Sequence, residues 1–306
     1  MLGFSGMGIT AIANGTFAGM VHLFQLDLSS NSISSISNDD IKDLAGLRVL
    51  SLASNALSTL GSGTFEGLSQ LWKLDLSRNS LRELRAEGPF RGMPELRTLV
   101  MTGQRPYPGA GNYGPTTMHI GNGTFSGSLA KLALLDMSGE CCYSSSSSSA
   151  ASVIERGAFD GLTGLQSLRL NSISLDDAGM AAGLFEHCRG LKQVELRYNG
   201  LTAITDETFA GLSSSLESLT LYGNQIRQIS RRAFTGFERL RSLELSNNRL
   251  QLLPADVFTK ITSQFLSVYL HDNPLLCRVN SPSPGYLGLG SDQSFLPTCP
   301  SEVRPC

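Results

Sequence analysis

Phe65-Glu-Gly-Leu68-Ser-Gln-Leu71-Trp-Lys-Leu74-Asp-Leu76-Ser-Arg-Asn79-Ser-Leu81-Arg-Glu-Leu84 is the stretch whose reading decides how this chain folds. Its apolar residues fit neither a helical period nor a simple strand period throughout. Leu74-Asp75-Leu76 alternates as a strand does, while Phe65, Leu68, Leu71 and Leu74 follow one another at intervals of three. That mixed spacing describes a backbone that runs straight for a few residues and then coils back on itself.

The same stencil recurs along the chain. With the first apolar residue of each Leu-x-Leu triplet as marker, the copies stand at Leu26, Leu50, Leu74, Leu99, Leu135, Leu168, Val194, Leu219, Leu243 and Val268. Successive markers are 24, 24, 25, 36, 33, 26, 25, 24 and 25 residues apart. Leu2 and Phe4 form one more triplet at the start, followed by Ile9, Ile12 and Phe17. A period in this range is the signature of a stacked repeat architecture, because one copy cannot bury its own leucines and neighbours must share the core.

A 24-residue period with this pattern resembles the leucine-rich repeat family, in its common extracellular form with one phenylalanine per turn. The resemblance covers nearly the whole chain. It implies an α/β solenoid: a horseshoe with a parallel concave β-sheet and a mostly irregular or 3₁₀ convex side. Residues 1–272 are expected to form the repeats, and residues 273–306 a cysteine-bearing C-terminal cap. Asn31, Asn55, Asn79, Asn199, Asn224, Asn248 and Asn273 lie three residues past the second apolar residue of their triplets. A carboxamide both donates and accepts, so at that turn it can satisfy backbone groups of adjacent coils. Phe17, Phe65, Phe90, Phe125, Phe159, Phe209, Phe234 and Phe258 are expected to stack as a spine on the opposite side.

At 306 residues the chain is long for one globular core, but solenoids grow by repetition. The formal charge of −2 offers neither a basic field for nucleic acid nor a strongly acidic one for cations. No run of eighteen apolar residues is present, so the chain carries no spanning helix and no membrane insertion is expected of it. The N-terminus lacks a basic segment followed by an apolar block, so no signal peptide is read there. Met1 opens inside a repeat, which suggests a processed form, an isolated domain or a truncated gene product.

Three features point to the oxidising side of the secretory pathway or the cell surface. Asn14-Gly-Thr16 and Asn122-Gly-Thr124 are glycosylation sequons, each just before a spine phenylalanine. The tail, with Asn273-Pro-Leu-Leu-Cys277, Cys299 and Cys306, resembles the C-terminal cap of extracellular leucine-rich repeat proteins. The cysteine total is an even six. The resemblance favours a Cys277–Cys299 pair. The family often has a second cysteine two residues after the first, and here Val279 stands in its place, which leaves Cys306 without an obvious partner. Cys188, three residues before Leu191, is assigned to the slot that phenylalanine fills in other turns and is expected to be a buried thiol. For the adjacent Cys141 and Cys142, a vicinal bridge, separate partners and free thiols all remain open.

The two long intervals are consecutive, and their extra residues lie directly after a strand: Thr102–Thr117 and Ser138–Ser152. Both are rich in Gly, Pro or Ser and should leave the solenoid as loops, side by side along one rim. The asparagine row also fails there, with Gln104, Glu140 and Ile173 in the slot. Insertions of this kind are cheap in loop-closure entropy, and they are also where repeat proteins place binding residues. Arg105, Tyr107 and Tyr113, with His119 nearby, give the first loop the composition of a contact loop. The serine run of the second reads more simply as a flexible tether.

The register also gives the side chains on the open face of the sheet. In the second half these include Arg169, Glu195, Arg197, Tyr222, Glu244, Tyr269 and His271, a set suited to a protein partner or a glycan-bearing macromolecule. Gly109-Ala-Gly111-Asn-Tyr-Gly114 matches a dinucleotide fingerprint by letter only, since no strand leads into it and no helix follows. Four histidines are scattered without metal spacing, so neither metal nor cofactor is indicated and no catalysis is read. The sequence therefore reads as a non-catalytic recognition module, a receptor ectodomain or secreted binder. A laterally packing structural or matrix component, or the regulatory domain of a larger enzyme or kinase, is the alternative.

Overall fold

The computed structural model describes residues 1–84, 88–104, 117–125, 129–140, 151–180, 182–254, 256–259, 261–263 and 266–275. Each Leu-x-Leu triplet makes one short strand with its marker pointing inward. Among the described residues, eleven such strands form a single parallel sheet, in the order Leu2–Gly3, Gln25–Asp27, Val49–Ser51, Lys73–Asp75, Thr98–Val100, Leu134–Asp136, Ser167–Arg169, Gln193–Glu195, Ser218–Thr220, Ser242–Glu244 and Ser267–Tyr269. The register is that of the markers: Leu26 lies opposite Leu50, Leu50 opposite Leu74, and Leu243 opposite Val268. The long intervals leave it untouched, with Leu99 opposite Leu135 and Leu135 opposite Leu168.

Behind the sheet, apolar side chains from every turn merge into one continuous core. Each buried Leu or Phe contributes roughly 1.5–3 kcal/mol, set against an ordering cost of similar total size. Past most strands the backbone enters the left-handed region four residues after the marker. Ser30, Ser54, Arg78, Gly103, Ser172, Tyr198, Gly223, Asn247 and Asp272 all have φ between 53° and 71°. One residue later the carboxamide row begins. Asn79 Nδ2 donates to the Leu52 and Leu76 carbonyls at 3.0 and 2.9 Å, and its Oδ1 accepts from the Leu57 N–H at 3.1 Å. Asn55, Asn224, Asn248 and Asn273 repeat this geometry.

The row does not fail at Gln104, contrary to the sequence expectation. Gln104 Nε2 reaches the Leu76 and Met101 carbonyls at 3.0 Å each, and its Oε1 accepts from the Leu81 N–H at 2.8 Å. A longer side chain delivers the same carboxamide to the same three groups. The break belongs to Glu140 and Ile173 alone. Asn199 spans part of it, with Oδ1 accepting from both Ile173 and Leu175 N–H at 3.2 and 3.0 Å.

On the convex side, short turns closed by successive i+3→i hydrogen bonds carry the spine, as in Leu68 N–H to Phe65 C=O and Leu71 N–H to Leu68 C=O. One helical turn, Asn38–Ile41, leads into this pattern in the repeat of Leu26, where Ile41 takes the phenylalanine place and the Leu44 and Leu47 N–H groups close on the Ile41 and Leu44 carbonyls. The spine rings stack at centroid distances of 6.3 Å for Phe65–Phe90, 5.5 Å for Phe90–Phe125 and 6.2 Å for Phe125–Phe159. A second correction follows from the next turn. Phe185, not Cys188, fills the spine slot there, stacking on Phe209 at 6.1 Å. Cys188 lies three residues later, in the place held by Leu68, Met93, Leu162 and Leu212 in other turns, and is buried there as a free thiol.

The convex side is also more regular than expected around the inserts. Glu83–Leu84, His119–Ile120, Ser152–Ile154 and Leu175–Met180 form a second parallel sheet of four strands, and Ala203–Ile204 pairs with Gln228–Ile229 in a third of two. The described flanks of the two inserts are neighbours. Gly103 N–H donates to the Ser138 carbonyl at 2.8 Å where they leave, and Val153 N–H donates to the Met118 carbonyl at 2.9 Å where they return. Glu140, at the second exit, reaches back over Gly103 to pair with Arg78.

Candidate partner-binding surface

Side chains on the open face of the sheet stand in rows, one residue per strand, because every strand is parallel and in register. One residue past the markers runs Asp136, Arg169, Glu195, Thr220, Glu244 and Tyr269; three past runs Asn171, Arg197, Tyr222, Ser246 and His271. Thr220 is buried within its row.

Arg169 is held between two carboxylates on the adjacent strands, 3.6 Å from Asp136 and 3.2 Å from Glu195. The Glu195 contact is an ion pair out of hydrogen-bond alignment, since the buried Arg169 Nε makes no hydrogen bond. The second Glu195 oxygen accepts from Asn171 Nδ2 at 2.9 Å, and Asn171 Oδ1 accepts from the Arg197 N–H at 2.8 Å. Arg169 and Glu195 are thereby committed to each other, whereas the Arg197 side chain stands exposed at the end of this network.

Next to Arg197 is an aromatic corner. Tyr198 and Tyr222 meet edge to face, with centroids 5.3 Å apart and planes at 82°. Tyr198 occupies the left-handed turn position with φ 53°, where the other turns carry mostly Ser, Gly, Asn or Asp. A bulky side chain there is strained. It fits because the next turn has Gly223 beneath it: a Cβ on that glycine would stand 2.6 Å from the Tyr198 ring. The sequence reading missed Tyr198 because it took only strand positions. An aromatic in a row of small turn residues was the available signal.

Two strands further on, Glu244 Oε1 accepts from the Ser246 N–H at 2.8 Å, and Ser246 Oγ hydrogen-bonds His271 Nδ1 at 2.7 Å. Tyr269, opposite Glu244, is 42% exposed. The structure thus brings Arg169, Glu195 and Arg197 into one network and sets Tyr222 against Tyr198. Glu244 and His271 join through Ser246, and Tyr269 stands on the last strand.

Arg105, Tyr107, Tyr113, Cys277, Cys299 and Cys306 lie outside the described residues, as do Cys141, Cys142 and the Gly109–Gly114 motif. Asn14 and Asn122 are both exposed. Thr16 is exposed too, whereas Thr124 is fully buried and donates to the Leu84 and Gly121 carbonyls at 2.8 Å each. Among the described residues no three His, Cys, Asp or Glu side chains converge as metal ligands would, and no helix is long and apolar enough to cross a membrane.

A family model for the leucine rich repeat matches residues 2–57, 45–105 and 189–250, more than half of the chain. Lumican of Gallus gallus is 32% identical over 98 residues, covering 32% of this chain and 27% of lumican. Transforming growth factor beta activator LRRC32 of Pongo abelii is 31% identical over 143 residues, covering 39% of this chain and 21% of that protein. The matches thus span about a quarter of these relatives' own length. Among solved structures, one of a TLR13–ssRNA13 complex superposes with a TM-score of 0.71 at 23% identity, over 87% of this chain and 35% of the other, a likeness of fold. With the repeat register, the carboxamide row and the family match in agreement, this chain belongs to the leucine-rich repeat family.

Proposed function

We propose that this chain is a non-catalytic protein-recognition module of a receptor ectodomain or secreted binder, with its contact surface on the later concave strands. The observation that carries the reading is the Tyr198–Tyr222 corner beside the exposed Arg197, with Tyr198 exposed and Tyr222 half-buried, on a sheet whose other side is a closed core. Tyr and Arg are the residue types that concentrate binding energy in interfaces. The corner is also preorganised, since Gly223 and Tyr222 hold the Tyr198 ring in place and less side-chain entropy is lost on association. The likeness to a protein named as a transforming growth factor beta activator supports a protein partner. Arg105, Tyr107 and Tyr113 extend the surface along the rim in this reading, and a glycan on the partner is compatible with it. Nucleic acid is not the partner proposed, because a formal charge of −2 gives little counterion release. Glycans on Asn14 and Asn122 and a Cys277–Cys299 bridge belong to the same extracellular reading, and peptide mapping without reduction checks both.

The test is a tetramerised chain screened against a panel of secreted and cell-surface ectodomains, beside Arg197→Ala, Tyr222→Ala and Tyr269→Ala. Truncating an anchor should weaken a captured partner by about 2 kcal/mol, roughly thirtyfold, with the melting temperature unchanged. Unchanged affinity in all three variants, with loss on deleting residues 105–116, which spares Gln104 and its bonds to the adjacent turn, would move the site to the rim loop. Unchanged affinity in every variant would remove the concave surface from the reading.

A further inference from the structure

The residues immediately before the strands of the first complete turns are Phe24, Arg48, Trp72 and Arg97. They are locked into one ladder by backbone hydrogen bonds: Arg48 N–H to Phe24 C=O at 2.8 Å, Trp72 N–H to Arg48 C=O at 2.9 Å, and Arg97 N–H to Trp72 C=O at 2.9 Å. Aromatic and guanidinium side chains therefore alternate along one edge of the sheet. Phe24 is 52% and Trp72 42% exposed, and Trp72 is the one tryptophan of the chain. A folded chain normally covers most of such a side chain. Both arginines are exposed, and Lys73 adds a third cation beside Trp72. Among the described residues none of these three cations makes an ion pair. The neighbouring Glu95 is taken by Lys131, whose hydrogen bond holds its carboxyl below the usual range. Further along the same row Ala133 and Gln166 end the pattern.

We infer that this edge is a docking site, separate from the later concave strands, for an acidic amphipathic helix of a protein partner. The charge calls for carboxylates and the exposed rings call for apolar side chains, in alternation. The spacing selects the helix. Strands repeat every ~4.8 Å, so Phe24 and Trp72 are about 9.6 Å apart along the ladder, as are Arg48 and Arg97. On a helix, positions i and i+7 lie about 10.5 Å apart on one face, with i+3 or i+4 midway. An extended peptide repeats a face only every ~6.7 Å and drifts out of step within two strands. The matching stripe is apolar at i and i+7 and acidic at i+3 or i+4 and at i+11. Apolar contacts then fall on Phe24 and Trp72, and carboxylates on Arg48 and Arg97.

The experiment uses the full chain and a fluorescent alanine-based helical peptide with Leu at i and i+7 and Glu at i+4 and i+11. A control of equal composition places Leu and Glu on opposite faces, and a sulfated oligosaccharide is a third probe. Fluorescence anisotropy should show saturable binding of the striped peptide, with the control at least about tenfold weaker. Trp72→Ala and Arg48→Glu should each weaken it by about tenfold or more, because both side chains are exposed anchors. Tyr222→Ala, in the concave surface, should leave it unchanged, which separates this site from the function proposed above. Equal binding of the two peptides would reduce the edge to a simple charged patch. Binding of the oligosaccharide alone would assign it to an anionic glycan instead. Absence of peptide binding, or insensitivity to both substitutions, overturns the inference.

Discussion

Cys188 illustrates how much a single position in a repeat decides. It sits in a slot that other turns fill with Leu or Met, and burial, assisted by the Asp160 carboxylate, pushes its thiol up to about 12. The native thiol should therefore resist iodoacetamide at pH 8 and react once denaturant is added, as mass spectrometry of its peptide would report. The sign of the linkage follows. An unfolded cysteine ionises near ~8.5, so above that value the unfolded state holds fewer protons and stability falls as pH rises towards the native value. A stability curve rising over that window in wild type but not in Cys188→Ala would contradict this. Gln104 makes a matching case for a polar group. Gln104→Leu strands the Leu81 N–H and the Leu76 and Met101 carbonyls, and should cost about 2–4 kcal/mol in denaturant melts. Gln104→Asn should cost less, because asparagine makes these bonds in neighbouring turns. The sequence made the row legible but not this substitution, since whether a longer amide can bend back to the same atoms is settled by local space and not by residue type.

At the scale of the element, the turn after each strand is the most constrained piece of the fold. Its left-handed residue favours Ser, Gly, Asn or Asp, and Arg78 and Tyr198 depart from that rule. Tyr198 is matched by Gly223 in the following turn, whereas the space over Gly103 is taken by the Glu140 side chain that pairs with Arg78. Gly223→Ala should destabilise by about 1–3 kcal/mol, through its own φ of 71° and the collision with the Tyr198 ring. It should also alter the aromatic near-ultraviolet circular dichroism. The same substitution in a Tyr198→Ser background should cost less, and equal costs in both backgrounds would dissociate the two residues. The strands and their register were legible in the sequence because alternation and a 24-residue period report burial directly. The second sheet was not. Glu83–Leu84 and His119–Ile120 are two-residue strands with no period of their own, formed because neighbouring turns happen to run alongside one another. Phe185 was hidden for a related reason: counting back from Leu191 by three lands on Cys188, and only ring stacking identifies the true spine slot.

For the whole molecule, order should be graded along the solenoid. Leu2, Phe4, Ile9, Ile12 and Leu23 are only partly buried, whereas leucines of the middle turns are fully covered on both sides. Amide exchange should then be slowest around Leu135, Leu168 and Val194 and fastest in the first turn, and uniform protection would argue against nearest-neighbour stabilisation. The surface was less legible than the core. The register placed Arg197 and Tyr222 correctly on the open face, but it did not reveal that Arg169 is committed to Glu195 or that Tyr198 completes the aromatic corner.

The strict parallel register has a mechanical corollary. Pulled from its two ends, the chain should not yield all at once, because each turn is held to the next by its own strand bonds and carboxamide and can be peeled away separately. Under an optical trap, a 24-residue turn should release about 80 Å of slack at ~3.4 Å per residue, and a 36-residue turn about 120 Å. The extension trace would then read out the spacing of the markers as a sequence of steps, with two long ones side by side where the inserts lie. The fold would act as a graduated tether, lengthening under load by amounts written in its repeat lengths.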